Sequence, residues 1–155
     1  MLRYVNYGVV FQEIPDETTL SINLSNCPIR CDGCHSKYLW NDIGSELDET
    51  AIDELLDKYD GDITCVCFMG GDAEPWAINS LAAYIRKSRD NLKIGWYSGR
   101  DKLYEHIDKN NFDYIKVGPY IKERGGLKSR TTNQRLYRIE GSRQCDITNK
   151  FWKNG

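Results

Sequence analysis

Ile63-Thr64-Cys65-Val66-Cys67-Phe68-Met69-Gly70-Gly71-Asp72 is the stretch from which the fold is read. Seven uncharged, mostly apolar residues followed by two glycines and an acid suit a strand buried on both faces that stops in a tight turn. Downstream, residues 75–88 predict a helix, with Pro75 in its first turn and Ile78, Leu81, Ala82 and Ile85 at helical spacing. Residues 92–97 read as the next strand, with Ser98-Gly99 as its exit turn. Residues 101–110 predict a helix carrying Leu103, His106 and Ile107 on one side. Residues 114–117 read as a strand, 118–133 as a long loop and 135–139 as a last strand. Upstream, residues 4–13 are β-rich, and residues 18–24 alternate Leu20, Ile22 and Leu24 against polar neighbours. Residues 51–59 predict a helix that Asp48 or Thr50 can cap. Strands alternating with helices predict an α/β fold with a mostly parallel sheet. A closed eight-fold barrel takes about 200 residues or more, and this chain has 155. The expectation is a partial (open) βα barrel, one domain over residues 1–155, with ligands outside the C-terminal ends of its strands.

Composition bounds the function. Hydrophobic residues are 40%, charged residues 28% and mean hydropathy −0.62, as in a globular chain. No apolar run is long enough to span a bilayer, and the first residues show no signal-peptide pattern, so a cytoplasmic protein without membrane contact is expected. The net charge of −2 argues against a nucleic-acid binder. The charge is uneven. Residues 116–143 hold eight Lys/Arg against Glu123 and Glu140, whereas residues 1–115 hold 11 Lys/Arg and 20 Asp/Glu. The basic segment is either a solvated face or a docking surface for an anionic partner.

Cysteine spacing carries the chemistry. Cys27, Cys31 and Cys34 stand as C-x3-C-x2-C directly after the strand at 18–24. In a chain without a disulfide ladder such spacing points to metal binding. Thiolates suit zinc or an iron–sulfur cluster. A zinc site would take a fourth ligand from His35, Cys65, Cys67 or Cys145. Three cysteines alone suit a four-iron cluster with one iron left open. Cys65 and Cys67 share one face of a buried strand and read first as small core residues. Cys145 reads as a free thiol, and His106 as a helix-face residue.

The C-x3-C-x2-C loop, with Gly70-Gly71-Asp72 at the end of the next strand, resembles the radical S-adenosylmethionine superfamily. Asn26-Cys27-Pro28, Cys34-His35-Ser36 and Leu39-Trp40 resemble the activating enzymes of glycyl-radical enzymes. Residues 116–121, Gly125-Gly126-Leu127 and residues 131–137 resemble those acting on anaerobic ribonucleoside-triphosphate reductases. The family usually has Glu where Asp72 stands, and no second cluster motif is present. The resemblance implies a fold of the radical S-adenosylmethionine type. It also implies one [4Fe-4S] cluster per chain on Cys27, Cys31 and Cys34, and S-adenosyl-L-methionine on the fourth iron. Reduction by a flavodoxin or ferredoxin would yield methionine and a 5′-deoxyadenosyl radical, which takes hydrogen from a glycine of the reductase. Gly33, Cys34, His35, Gly70, Gly71, Asp72 and Ser98 are the expected cofactor contacts, and Arg30 would offset the cluster's charge. No side chain is expected to act as a general acid or base. Other readings stay open: another glycyl-radical activase, a small-molecule synthase of the same family, or a zinc or iron–sulfur interaction module.

Overall fold

The structure, a computed structural model, describes residues 1–31 and 36–152. Its strands are β1 (Arg3–Val10), β2 (Thr19–Leu24), β3 (Ser45–Glu46), β4 (Cys65–Met69), β5 (Lys93–Tyr97), β6 (Tyr114–Val117), β7 (Arg135–Glu140) and β8 (Arg143–Asp146). They form one sheet in the order β3-β1-β2-β4-β5-β6-β7-β8. Its α-helices are α1 (Glu49–Lys58) and α2 (Pro75–Ser88).

This overturns the expected α/β partial (open) βα barrel with a mostly parallel sheet. The pairs β2–β4, β4–β5 and β5–β6 are parallel, whereas β1–β2, β1–β3, β6–β7 and β7–β8 are antiparallel. Hairpin-type pairing on both flanks makes the chain a mostly-β, eight-stranded open sheet with two short helices. The helix expected at residues 101–110 is absent. There, only Leu103 and Ile107 are even half-buried. Too little apolar surface is on offer to hold so short a helix. Asp108 instead accepts from the backbone of Asn110 at 3.0 Å and starts a 3-10 turn at Lys109–Asn111.

The core lies on both faces. Leu20, Ile22, Leu24, Val66, Phe68, Ile94, Trp96 and Ile115 turn to one side, where Ile52, Leu55 and Leu56 of α1 and Ile78, Leu81, Ala82 and Ile85 of α2 cover them. Cys65, Cys67, Tyr114 and Leu136 turn to the other, covered by Ile14 and Ile147 from loops. The expected cap is present: Asp48 accepts from the N–H of Ala51 at 2.8 Å. Among the described residues no helix is long and apolar enough to cross a membrane.

The two helices are tied by polar contacts. Tyr84 donates to Asp53 at 2.5 Å, and Arg89 reaches Asp53 at 3.0 Å and Asp57 at 2.8 Å. The Tyr84 hydroxyl first, and Arg89 second, hold the Asp53 carboxyl below its ordinary range. A lowered folded pKa means stabilisation that is complete above the unfolded value, roughly 4, and lost as pH falls through the folded one. Asp53→Asn is therefore expected to lower the urea midpoint at neutral pH and to match the parent at about pH 2. A deficit that persists in acid would assign the effect to packing instead.

Candidate metal centre

The parallel strands β2, β4, β5 and β6 all deliver their C-terminal ends to one edge of the sheet. The segment leaving β2 is pinned by backbone bonds from Asn26 to the carbonyl of Asn41 and from Cys27 to that of Leu39, both 2.9 Å. Asn26 and Arg30 take the left-handed backbone, with φ of 58° and 51°. The chain thereby reverses tightly around Pro28 and Ile29. Cys27 and Cys31 are half-buried free thiols. Tyr120, beyond β6, donates its N–H to the Sγ of Cys31 at 3.2 Å. Ile29 fills the place where Gly99 lacks a side chain, since a Cβ there would meet Ile29 Cγ1 at 2.9 Å. The cysteine loop thus rests directly on the Ser98-Gly99 turn. Gly33, Cys34 and His35 lie outside the described residues.

At the end of β4, Gly70 and Gly71 have φ of 106° and 88°, backbone that favours glycine. The N–H of Gly70 donates to the Tyr97 carbonyl at 3.0 Å, and its own carbonyl accepts from Trp96 Nε1 at 2.7 Å. Asp72 is 3% exposed. Its carboxylate accepts from Ser98 Oγ at 2.5 Å and from the Gly99 N–H at 2.8 Å. Ser98 Oγ accepts in turn from the N–H of Arg100 at 3.1 Å. Three of the expected contact residues, Gly71, Asp72 and Ser98, therefore sit together, and the acid and the hydroxyl are bonded to each other.

Lys116 is the residue that sequence reading missed. It is 8% exposed on β6, and its Nζ donates to the carbonyls of Ser98 at 3.0 Å and Gly118 at 2.8 Å. Burial pulls its pKa down to about 8, opposed by Asp72 and by the thiols of Cys31 and Cys27. At neutral pH it remains largely a cation. Its signal was a lone charge inside the otherwise apolar run Tyr114-Ile115-Lys116-Val117. Cys65 and Cys67 are fully buried, and burial raises both thiols well above their ordinary range. They are poor ligands in that state. Among the described residues, no three His, Cys, Asp or Glu side chains gather into a group that could hold a metal. Neither Cys65, Cys67 nor Cys145 thus completes a site with Cys27 and Cys31.

Residues 18–139, from just before β2 to the last but one residue of β7, match the model of a family described as a 4Fe-4S single cluster domain. The chain belongs to that family. The match is to a cluster-binding domain, and it takes in all four parallel strands and the whole C-x3-C-x2-C loop. A 68-residue stretch is 31% identical to Dicer-like protein 2-2 of Aspergillus niger, covering 44% of this chain and 5% of that one. No solved structure matches it significantly. The residues present fit a cluster in this 4Fe-4S single cluster domain. The donor set is soft, two of its thiols are free and half-buried, and a buried cation stands near them.

Proposed function

We propose that this 4Fe-4S single cluster domain binds S-adenosylmethionine at the strand ends and serves as the activating enzyme of a glycyl-radical protein, an anaerobic ribonucleoside-triphosphate reductase. The observation that carries the reading is the placement of the Gly70-Gly71-Asp72 turn against the Ser98-Gly99 turn, on which the cysteine loop itself rests. When bound, a cluster with one open iron supplies the electron for reductive cleavage of a sulfonium. The chain's own residues supply position. Cys27, Cys31 and Cys34 would hold three irons. Gly71 lets the turn pack down on Ile78 and Leu24, where a Cβ would not fit, and Asp72 holds the Ser98-Gly99 turn in place. Gly33 and His35, beside Cys34, would offer backbone groups to the adenosyl end. Tyr97, Tyr120, Leu127 and Phe151 bound an open cavity of about 620 Å³, and Tyr120 of its wall is the residue whose N–H meets Cys31.

A second reading is a cluster-binding module that transfers electrons without catalysis. The family match is to a cluster domain, and the Asp72 carboxylate is already committed to Ser98 and Gly99. One experiment separates the two. Anaerobically loaded protein, reduced by flavodoxin or dithionite and given S-adenosylmethionine, is expected to release 5′-deoxyadenosine, and the reductase to acquire a glycyl-radical signal. Full iron loading with no nucleoside released, with or without the reductase, would leave the electron-transfer module.

A further inference from the structure

A buried lysine normally pairs with a carboxylate. Lys116 has Asp72 as its leading charged neighbour but donates to carbonyls instead. Among the described residues its bonds go to two neutral carbonyls, and the nearby carboxylate of Asp72 is taken by Ser98 and Gly99. The other ionisable groups near it are Cys31 and Cys27 in the loop after β2, and Cys67 on its own sheet face. Cys67 sits in an apolar cluster and stays a neutral thiol. Its Ser98 contact adjoins Gly99, against which Ile29 of the cysteine loop packs, and its Gly118 contact lies two residues before Tyr120, so the Lys116 charge is held at the edge of the C-x3-C-x2-C loop. The same strand exit brings in a second donor, since Gly118 accepts from Lys116 and Tyr120 donates to Cys31 Sγ at 3.2 Å.

We propose that Lys116 is the built-in counter-charge of the cluster and, with the Tyr120 N–H, raises its reduction potential. The proposal rests on cluster binding by Cys27, Cys31 and Cys34. Reduction adds one electron to a centre that already carries thiolate charge. A fixed cation nearby favours the reduced form, and a hydrogen bond to a ligating sulfur acts in the same direction. The carbonyl bonds of Lys116 hold Nζ in place, so its role is positioning of charge and not contact with substrate.

The test is a potentiometric titration of reconstituted protein followed by electron paramagnetic resonance. Lys116→Gln keeps an N–H donor for Ser98 and Gly118 and removes the charge. Lys116→Met removes both. With iron content equal to the parent, both variants are expected to titrate at a more negative potential, whereas Lys122→Gln on the exposed loop is expected to titrate with the parent. If Lys116→Met fails to fold, Lys116→Gln decides alone. A parental potential in a fully loaded Lys116→Gln protein would overturn the counter-charge. A shift confined to Lys116→Met would assign the effect to the carbonyl bonds and would also overturn it. A parent protein that takes up no iron would instead bring down the cluster assignment itself.

Discussion

Cys27→Ala, Cys31→Ala and Cys34→Ala are each expected to abolish stable iron uptake on anaerobic reconstitution. The loss would be read as missing visible charge-transfer absorption and missing iron and sulfide. A cluster held by three thiolates has no spare ligand among the described residues, because no other described Cys, His, Asp or Glu groups with Cys27 and Cys31. Cys27→Ala should hardly disturb the unloaded fold, because its side chain is only half-buried and a truncation of that kind shifts stability by roughly 0.5 kcal/mol or less. Cys65→Ala and Cys67→Ala should do the reverse. Both side chains are fully buried on the face covered by Ile14, so truncation costs about 1–2 kcal/mol while iron uptake stays intact. A Cys31→Ala protein with full iron content would remove that residue from the ligand set. Loss of iron in Cys67→Ala without loss of stability would bring Cys67 into it.

Gly71→Ala is expected to cost about 2–5 kcal/mol in urea unfolding, from a backbone and a packing contribution. Gly71 has φ of +88°, and a Cβ there would lie 2.6 Å from Ile78 Cδ1, 2.8 Å from its Cγ1 and 3.1 Å from Leu24 Cδ1. Ile78 and Leu24 are buried at the junction of α2 and β2, so neither can swing into solvent. Left-handed backbone in a residue with a side chain costs roughly 1–2 kcal/mol, and forcing a methyl into a packed core costs a further 1–3 kcal/mol or so. Gly61 separates the two contributions. Its φ is +83°, and a Cβ there meets nothing within 4 Å. Gly61→Ala should therefore show the backbone part alone, about 1–2 kcal/mol. Equal losses at the two glycines would mean that Ile78 yields freely. A shift of α2 away from the turn that carries Asp72 would follow, so under the proposed function the release of 5′-deoxyadenosine should fall with it wherever the protein still folds.

The run that ends at Gly70-Gly71 was readable in advance. The run before Gly70 is apolar on both faces because β4 lies between two parallel neighbours, and α2 appears over the expected 75–88 because Pro75 and the apolar spacing agree there. Residues 101–110 misled because Leu103, His106 and Ile107 have helical spacing. Spacing alone does not supply the burial that holds a helix. The flanks carried no warning. β3 is two exposed residues, and β8 reads Arg-Gln-Cys-Asp without alternation, so the antiparallel pairs that replace the expected barrel come from tertiary packing. Within the site, Cys27, Cys31 and the glycines stood out by spacing. The bond between Asp72 and Ser98 spans 26 positions and has no local signature.

An open sheet, unlike a barrel, has two unpaired borders, and each is a template on which another extended chain can assemble. At one border β3 covers only Arg3 and Tyr4 of β1, so among the described residues positions 5–10 of β1 pair with no strand on that side. At the other, Arg143, Gln144 and Asp146 point charge and polarity outward, and Arg135 of β7 reaches Asp146 across the last pair at 3.7 Å. An incoming strand meets a polar ladder at β8 and a longer, less polar one along residues 5–10 of β1. The same architecture that leaves the strand ends accessible thus protects one border against edge-to-edge growth and leaves the other open to it.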